Sequence, residues 1–407
     1  MVKQLLDLPA PQVQGKSINP VLAVCLVLGA WVATVLPFLR VAPNRLLSGE
    51  PAYLVDLLLK NAGGTAAGLL VLVVLVGAVF APSQRAMQWV VTALAAILMA
   101  TLVWLAGSYA SSVTQSDSPL TRTALGAGFW CLMALAWLIC LDAASHLRLG
   151  PLPRLAVLVA AALPMACVVA LGFAQDLSIM KEYATRRDVF ASAVLRHLQI
   201  VLMAIAPSLL LGLPLAWAMV RRQRLRQALF PVLNVIQTIP SIALFGVLMA
   251  PLALLAATYP ALAGAGISGV GLAPAVLALV LYSLLPIVRS AVAGLDQVPL
   301  AVTTSAQAMG MGPLQIFWRV QLPLALPVLL LGLRVAVVQT IGLAAVTALV
   351  GAGGLGALMF DGLFSAANEL VVLGVAPIVL LAVLADAAFK ALSAALEEPA
   401  QAVGVPA

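Results

Sequence analysis

The chain is 407 residues long, 64% hydrophobic and only 9% charged, with a mean hydropathy of +1.14. Soluble domains carry roughly a quarter charged residues, so a water-soluble globular fold is excluded. The net charge of +7 does not point to nucleic acid, because aromatic residues make up 6% of the chain and no basic patch occurs outside the loops between apolar runs.

The apolar runs are about 20 residues long, twice what a barrel strand needs, and in a bilayer every backbone N–H and C=O must be paired internally. They predict an all-α integral membrane protein with about ten transmembrane helices, near residues 21–39, 61–81, 88–110, 123–143, 154–174, 197–220, 228–257, 272–294, 324–350 and 370–391. Lys3 and Lys16 precede the first run, which reads as a retained signal anchor. Gly15-Lys16-Ser17 ends like a phosphate-cradling loop, but the glycine needed five positions earlier is Ala10. Any ATP must therefore be handled by another polypeptide. Cys25, Cys131, Cys140 and Cys167 all lie in apolar runs without a C-x-x-C pair, and His146 and His197 have no ligand spacing. No metal site, cofactor or catalytic residue is expected.

With the N-terminus in the cytoplasm, twelve of the 21 Lys and Arg fall on that side. The densest short loop, Arg221-Arg222-Gln223-Arg224-Leu225-Arg226, decides the orientation under the positive-inside rule and puts both termini inside. Residues 175–196 form the longest polar stretch between runs and are weakly amphipathic, which suggests an outer-surface linker and interfacial helix. The expected organisation is an accessory membrane region at 1–174, this linker at 175–196, a second bundle at 197–392 and a cytoplasmic tail at 393–407.

Inside the seventh run, Gln237, Thr238, Pro240 and Ser241 offer an amide, hydroxyls and a proline-broken backbone at membrane depth, and are candidates for lining a pathway. Arg334 lies about 16 Å along the ninth run from Pro323, where it is expected to snorkel or to meet a carbonyl or acid. Arg289, Asp142 and Asp386 sit near predicted cytoplasmic ends, where solvation is sufficient to explain them. The loop from 296 to 322 is the informative segment. Leu300 to Met309 forms a helix-prone run stopped by Gly310, which suits a left-handed C-terminal residue, and Gly312-Pro313 reinforces the stop. A second short helix then leads to Pro323, where a new span can start.

This loop resembles the cytoplasmic motif of permeases of binding-protein-dependent ABC importers: Gly310, then Val320, Leu322 and Pro323 at the family spacing, with Thr304, Ser305 and Ala306 at the positions of Glu-Ala-Ala. The resemblance implies that Thr304, Ser305, Ala306, Gln307, Ala308, Met309, Gly310, Met311 and Gly312 form a coupling helix docked on an ATP-binding subunit. Thr304 in place of glutamate removes one docking ion pair or hydrogen bond but not the helix. The strings Asn234 to Ser241, Gln321 to Pro327 and Gly351 to Gly356 are similar to permeases of osmoprotectant importers, which carry glycine betaine, choline and related quaternary ammonium compounds. That family likeness implies further partners: an extracytoplasmic solute-binding protein, a second permease copy or related permease, and the bacterial inner membrane. It also puts the Gly351–Gly356 turn near the docked binding protein or an outer gate. Trp217, Tyr259, Tyr282 and Trp318 are scattered and build no aromatic cage, so selectivity is expected in the binding protein. An importer of another small solute, of amino acid type, and an ion-coupled secondary transporter remain open; the latter is expected to carry intramembrane acids, which the core runs almost entirely lack.

Overall fold

A computed structural model describes residues 19–44, 47, 49–60, 73, 75–79, 84–116 and 120–402, with side chains placed up to residue 396 apart from that of Lys60. The chain forms two compact units, Met1–Lys181 and Glu182–Ala407. Among the described residues, eight helices are long and apolar enough to cross a membrane. Lys3, Lys16, the Gly15-Lys16-Ser17 tripeptide, most of the 61–81 run and residues 403–407 of the tail lie outside the described residues.

In the first unit, helix α1 (Pro20–Val35) starts where proline fits the first turn and the Asn19 side chain accepts from the Leu22 N–H at 3.1 Å. It stops earlier than the hydropathy implied. Pro37 pushes Leu36 into extended backbone, and the rest of the apolar run becomes strand β1 (Leu39–Ala42). This strand pairs antiparallel with β2 (Glu50–Ala52) and β3 (Arg122–Leu125), in the order β2-β1-β3 with Leu39 opposite both Ala52 and Leu125. The fourth predicted helix is corrected likewise: residues 122–125 are strand, and the helix begins after Gly126. The all-α class stands with this small sheet added.

After the short α2 (Leu54–Lys60), helices α3 (Arg85–Ser116), α4 (Ala127–His146) and α5 (Pro151–Ala170) complete this bundle. Val91, Ala95, Met99, Leu102, Ala106 and Ala110 recur every three or four residues on α3 and form its buried stripe. The polar stretch that follows folds as α6 (Ser178–Thr185) and the opening turns of α7 (Arg187–Arg221).

In the second unit α7 is followed by α8 (Gln223–Thr238), α9 (Ser241–Thr258), the short α10 (Pro260–Gly264) and α11 (Leu272–Asp296). The single helix expected over 228–257 is therefore two. Pro240 has no N–H and cannot continue the ladder, and Ile239 before it is extended, at φ −69° and ψ 128°. Helix α8 is amphipathic, and its apolar face runs on in sequence into α9, which is why hydropathy alone joined them.

Helix α11 is the axis of this unit, burying Ala275, Ala278, Leu279, Tyr282, Ile287, Val288, Ala291 and Val292. It packs on α7 and on α14 (Leu322–Val346), with α12 (Leu300–Ala308) and α13 (Pro313–Ile316) between α11 and α14 in sequence. Helix packing inside a membrane depends on close approach and interhelical hydrogen bonds. Both occur here. A Cβ on Gly332 would lie 1.9 Å from Ser290 Oγ, so α14 reaches α11 only through a glycine. The Ser208 hydroxyl donates to the carbonyl of Val280 at 3.3 Å, the hydroxyls of Ser283 and Thr340 are 2.8 Å apart, and buried His197 meets the Ile341 carbonyl at 3.1 Å. A 3-10 turn (Thr347–Val350), α15 (Leu355–Phe364) and α16 (Asn368–Ala402) close the unit.

The glycine-stopped loop and the broken helix

Helix α12 begins after Pro299 and ends in a Schellman turn. The Gly310 N–H donates to Gln307 O at 2.9 Å and the Met311 N–H to Ala306 O at 3.2 Å, with Gly310 left-handed at φ +82°. The chain restarts at once. Gly312 caps α13, and its N–H is taken by the Gln315 side chain at 3.0 Å. The second helix thus begins at Pro313 and runs without interruption into α14, rather than restarting at Pro323.

Between α13 and α14, residues Phe317–Gln321 form a π turn, in which the Leu322 N–H reaches back to Phe317 O. Pro323 explains the wider register: it offers no N–H to the carbonyl four residues earlier, and its ring crowds that carbonyl.

Nearly the whole of α12 faces outward. Ala306 is buried, while Thr304, Ser305, Gln307, Ala308 and Met309 are exposed. Large apolar side chains stand out of this region, with Leu300 83%, Met309 71%, Leu314 61% and Trp318 56% exposed. Ile316 and Phe317 turn inward instead. The Phe317 ring lies 5.6 Å from that of Trp217, near the end of α7, and the Arg221 guanidinium sits 4.1 Å above the Trp217 ring. Two polar contacts tie α8 to α11 beside the loop: Arg226 to Asp296 at 2.7 Å, and Arg289 to Asn234 at 2.9 Å. Only the Arg221–Trp217 contact, four residues apart on one helix, is open to a reading from spacing; the Phe317–Trp217, Arg226–Asp296 and Arg289–Asn234 pairs are separated by 55 residues or more.

At the Pro240 break, the Gln237 amide donates to the Tyr282 carbonyl while the Tyr282 hydroxyl donates to the Ile239 carbonyl. Thr238 returns its hydroxyl to Val235 O at 2.7 Å. The gap in the α8–α9 ladder is therefore closed from α11, and Gln237 is committed to that clasp. Ser241 opens α9 and is half-buried.

On the opposite end of the unit, Gly351, Gly353 and Gly354 are all left-handed, at φ +83°, +82° and +80°. Arg334 meets an acid as expected: its Nε lies 2.5 Å from Asp386, which also accepts Lys390 at 2.8 Å. Asp386 is thus an ion-pair partner joining α14 to α16, not a solvated terminal residue.

Comparison with known proteins divides the chain at the same place as the fold. Residues 208–398 match the family described as binding-protein-dependent transport system inner membrane component, and residues 17–180 match the ABC transporter permease YehY, N-terminal domain. The osmoprotectant import permease protein OsmW of Salmonella typhimurium is 38% identical over 200 residues, covering 48% of this chain and 86% of the relative. The glycine betaine/carnitine/choline transport system permease protein OpuCD of Bacillus subtilis is 38% identical over 192 residues, covering 47% and 77%. A chain from inward-facing crystals of the MetNI methionine ABC transporter aligns with 52% of this chain and 98% of its own length, at 22% identity and a TM-score of 0.45.

Proposed function

The chain belongs to the permeases of binding-protein-dependent ABC importers, multi-pass proteins of the inner membrane, and we propose that it translocates a small quaternary ammonium osmoprotectant such as glycine betaine or choline. The observation that carries this reading is the 38% identity to an osmoprotectant import permease across 86% of that protein's length. ATP is hydrolysed by a separate subunit. A solute-binding protein delivers the substrate on the outer side, and a second copy of the chain or a related permease completes the pathway. The basic cluster Arg221–Arg226 supports an orientation with both termini in the cytoplasm.

In this scheme Thr304 to Gly312 seat α12 in a groove of the ATP-binding subunit. The outward side chains of α12 support that assignment, since a docking surface must be free of its own bundle. When the ATPases close, α12 is pushed as a rigid piece. The displacement passes through α13 and the π turn into α14, and through Phe317 and Trp217 into α7, so the bundle rocks. Thr238, Pro240 and Ser241 at the break between α8 and α9 are the candidates for lining the pathway, with Gln237 bonded from that break to α11. Residues 1–174 act as an accessory membrane region, 175–196 as the connection, 197–392 as the transport core and 393–407 as a tail.

The test is uptake into proteoliposomes holding the chain, its ATP-binding subunit and its binding protein. Labelled glycine betaine or choline should accumulate only with ATP inside the cytoplasmic-face compartment. Accumulation of an amino acid in place of either compound, or uptake driven by an ion gradient without ATP, contradicts the proposal.

A further inference from the structure

The second unit carries a cleft of about 710 Å³ between α7 and α15, far from the α12 loop in sequence. Its walls include Ser192, Arg196 and Gln199 from α7, and Gly354, Ala357 and Asp361 from the glycine turn and α15. The orientation proposed above places this end of the unit on the outer side, where a solute leaves its binding protein.

Two opposite charges line this cleft without neutralising each other. Arg196 is held rigidly: its Nε donates to Ala352 O in the glycine turn at 3.0 Å and its Nη1 to the Gln199 amide oxygen at 2.9 Å. Neither partner is an anion, so the positive charge is left unpaired among the described residues. The Asp361 carboxylate has no hydrogen bond or ion pair among the described residues; only its backbone carbonyl is used, by Ser365. The same cleft is lined by the apolar side chains of Val189, Ala193, Leu195, Ala357 and Leu358.

An uncompensated cation and an uncompensated anion in one cleft with apolar lining match a ligand that carries both charges at its ends. We propose that this cleft is a binding site for a zwitterionic quaternary ammonium compound, with the ligand carboxylate on Arg196 and its trimethylammonium group against Asp361. The proposal rests on the osmoprotectant reading and extends it. A guanidinium offers paired N–H donors to a carboxylate. The cation has no hydrogen to donate and needs only a nearby negative charge and apolar walls for its methyl groups, which Asp361 and Ala357 supply in place of an aromatic cage. Choline, a cation without a carboxylate, satisfies only the Asp361 half. The permease therefore carries its own discrimination between zwitterion and simple cation, in addition to that of a binding protein.

Equilibrium binding of radiolabelled glycine betaine and choline to the purified permease–ATPase complex, with no binding protein present, tests this. The wild-type complex should bind glycine betaine more tightly than choline. Arg196→Gln should weaken glycine betaine about tenfold, the loss of one charge-assisted contact, and leave choline unchanged. Asp361→Asn should weaken both. Because Arg196 also holds the glycine turn, Asp361→Asn, which removes no internal contact, decides the matter if Arg196→Gln fails to fold. The proposal is overturned if the wild-type complex binds neither compound, or if Asp361→Asn binds both as wild type does. ATP-driven uptake by the full wild-type system separates the two levels. Uptake of these solutes with binding indifferent to either substitution removes the cleft alone, whereas no uptake of either solute removes the osmoprotectant reading beneath it.

Discussion

Gly310 holds φ at +82°, and a Cβ built on it would meet nothing within 4 Å, so backbone conformation alone restricts the position. A β-carbon there costs about 1–2 kcal/mol in the left-handed region, asparagine is tolerated best among the other residues, and proline cannot reach that φ at all. Gly310→Asn should therefore retain most ATP-driven uptake, Gly310→Val should lose a large part, and Gly310→Pro should abolish it with membrane insertion intact. Uptake rates normalised to inserted protein measure this, and full activity in the proline variant would refute the importance of the turn. The position was legible in the sequence because a helix-prone run ending on glycine leaves few alternatives. The partner of Arg334 was not. Arg334 and Asp386 are 52 residues apart, and hydropathy weighs each alone, so their ion pair emerges only when α14 and α16 are packed.

The elements were legible where a long apolar run has one structure, and misread where two structures share one run. Residues 21–39 hold a helix and the start of a strand, and 228–257 hold an amphipathic helix, a proline break and a span. Summed hydropathy does not register the change of period within them. The π turn Phe317–Gln321 was equally hidden, although Pro323 supplies its cause. It lies between α13 and α14, with Phe317 packed on Trp217 of α7, and in the proposed scheme it is the joint through which motion of α12 would reach two spans. Phe317→Ala removes the ring contact with α7 but not the α13–α14 connection. ATP hydrolysis by the assembled transporter should persist while solute moved per ATP falls severalfold. Equal losses in hydrolysis and uptake would show that Phe317 serves only folding or assembly.

At the level of the whole molecule, the two compact units meet at residues 181 and 182, close to the end of one family match at 180. This boundary falls inside the polar stretch 175–196, and the family-like strings of the sequence all lie after it. Every residue assigned to coupling or pathway lies in the second unit. Removing residues 1–172, with a replacement signal sequence to restore orientation, should leave a core that still co-purifies with the ATP-binding subunit. A correctly oriented core that fails to bind would make the first unit part of the transport machine. The surface proposed for contact between the ATP-binding and membrane subunits is α12. The most direct test of that placement is a photo-crosslinking amino acid placed at Thr304 or Gln307, both outward-facing, in the assembled transporter in native membranes. A covalent adduct of the permease with the ATP-binding subunit is expected from either position; illumination that yields none, in a complex that still hydrolyses ATP and transports, rules α12 out as that surface.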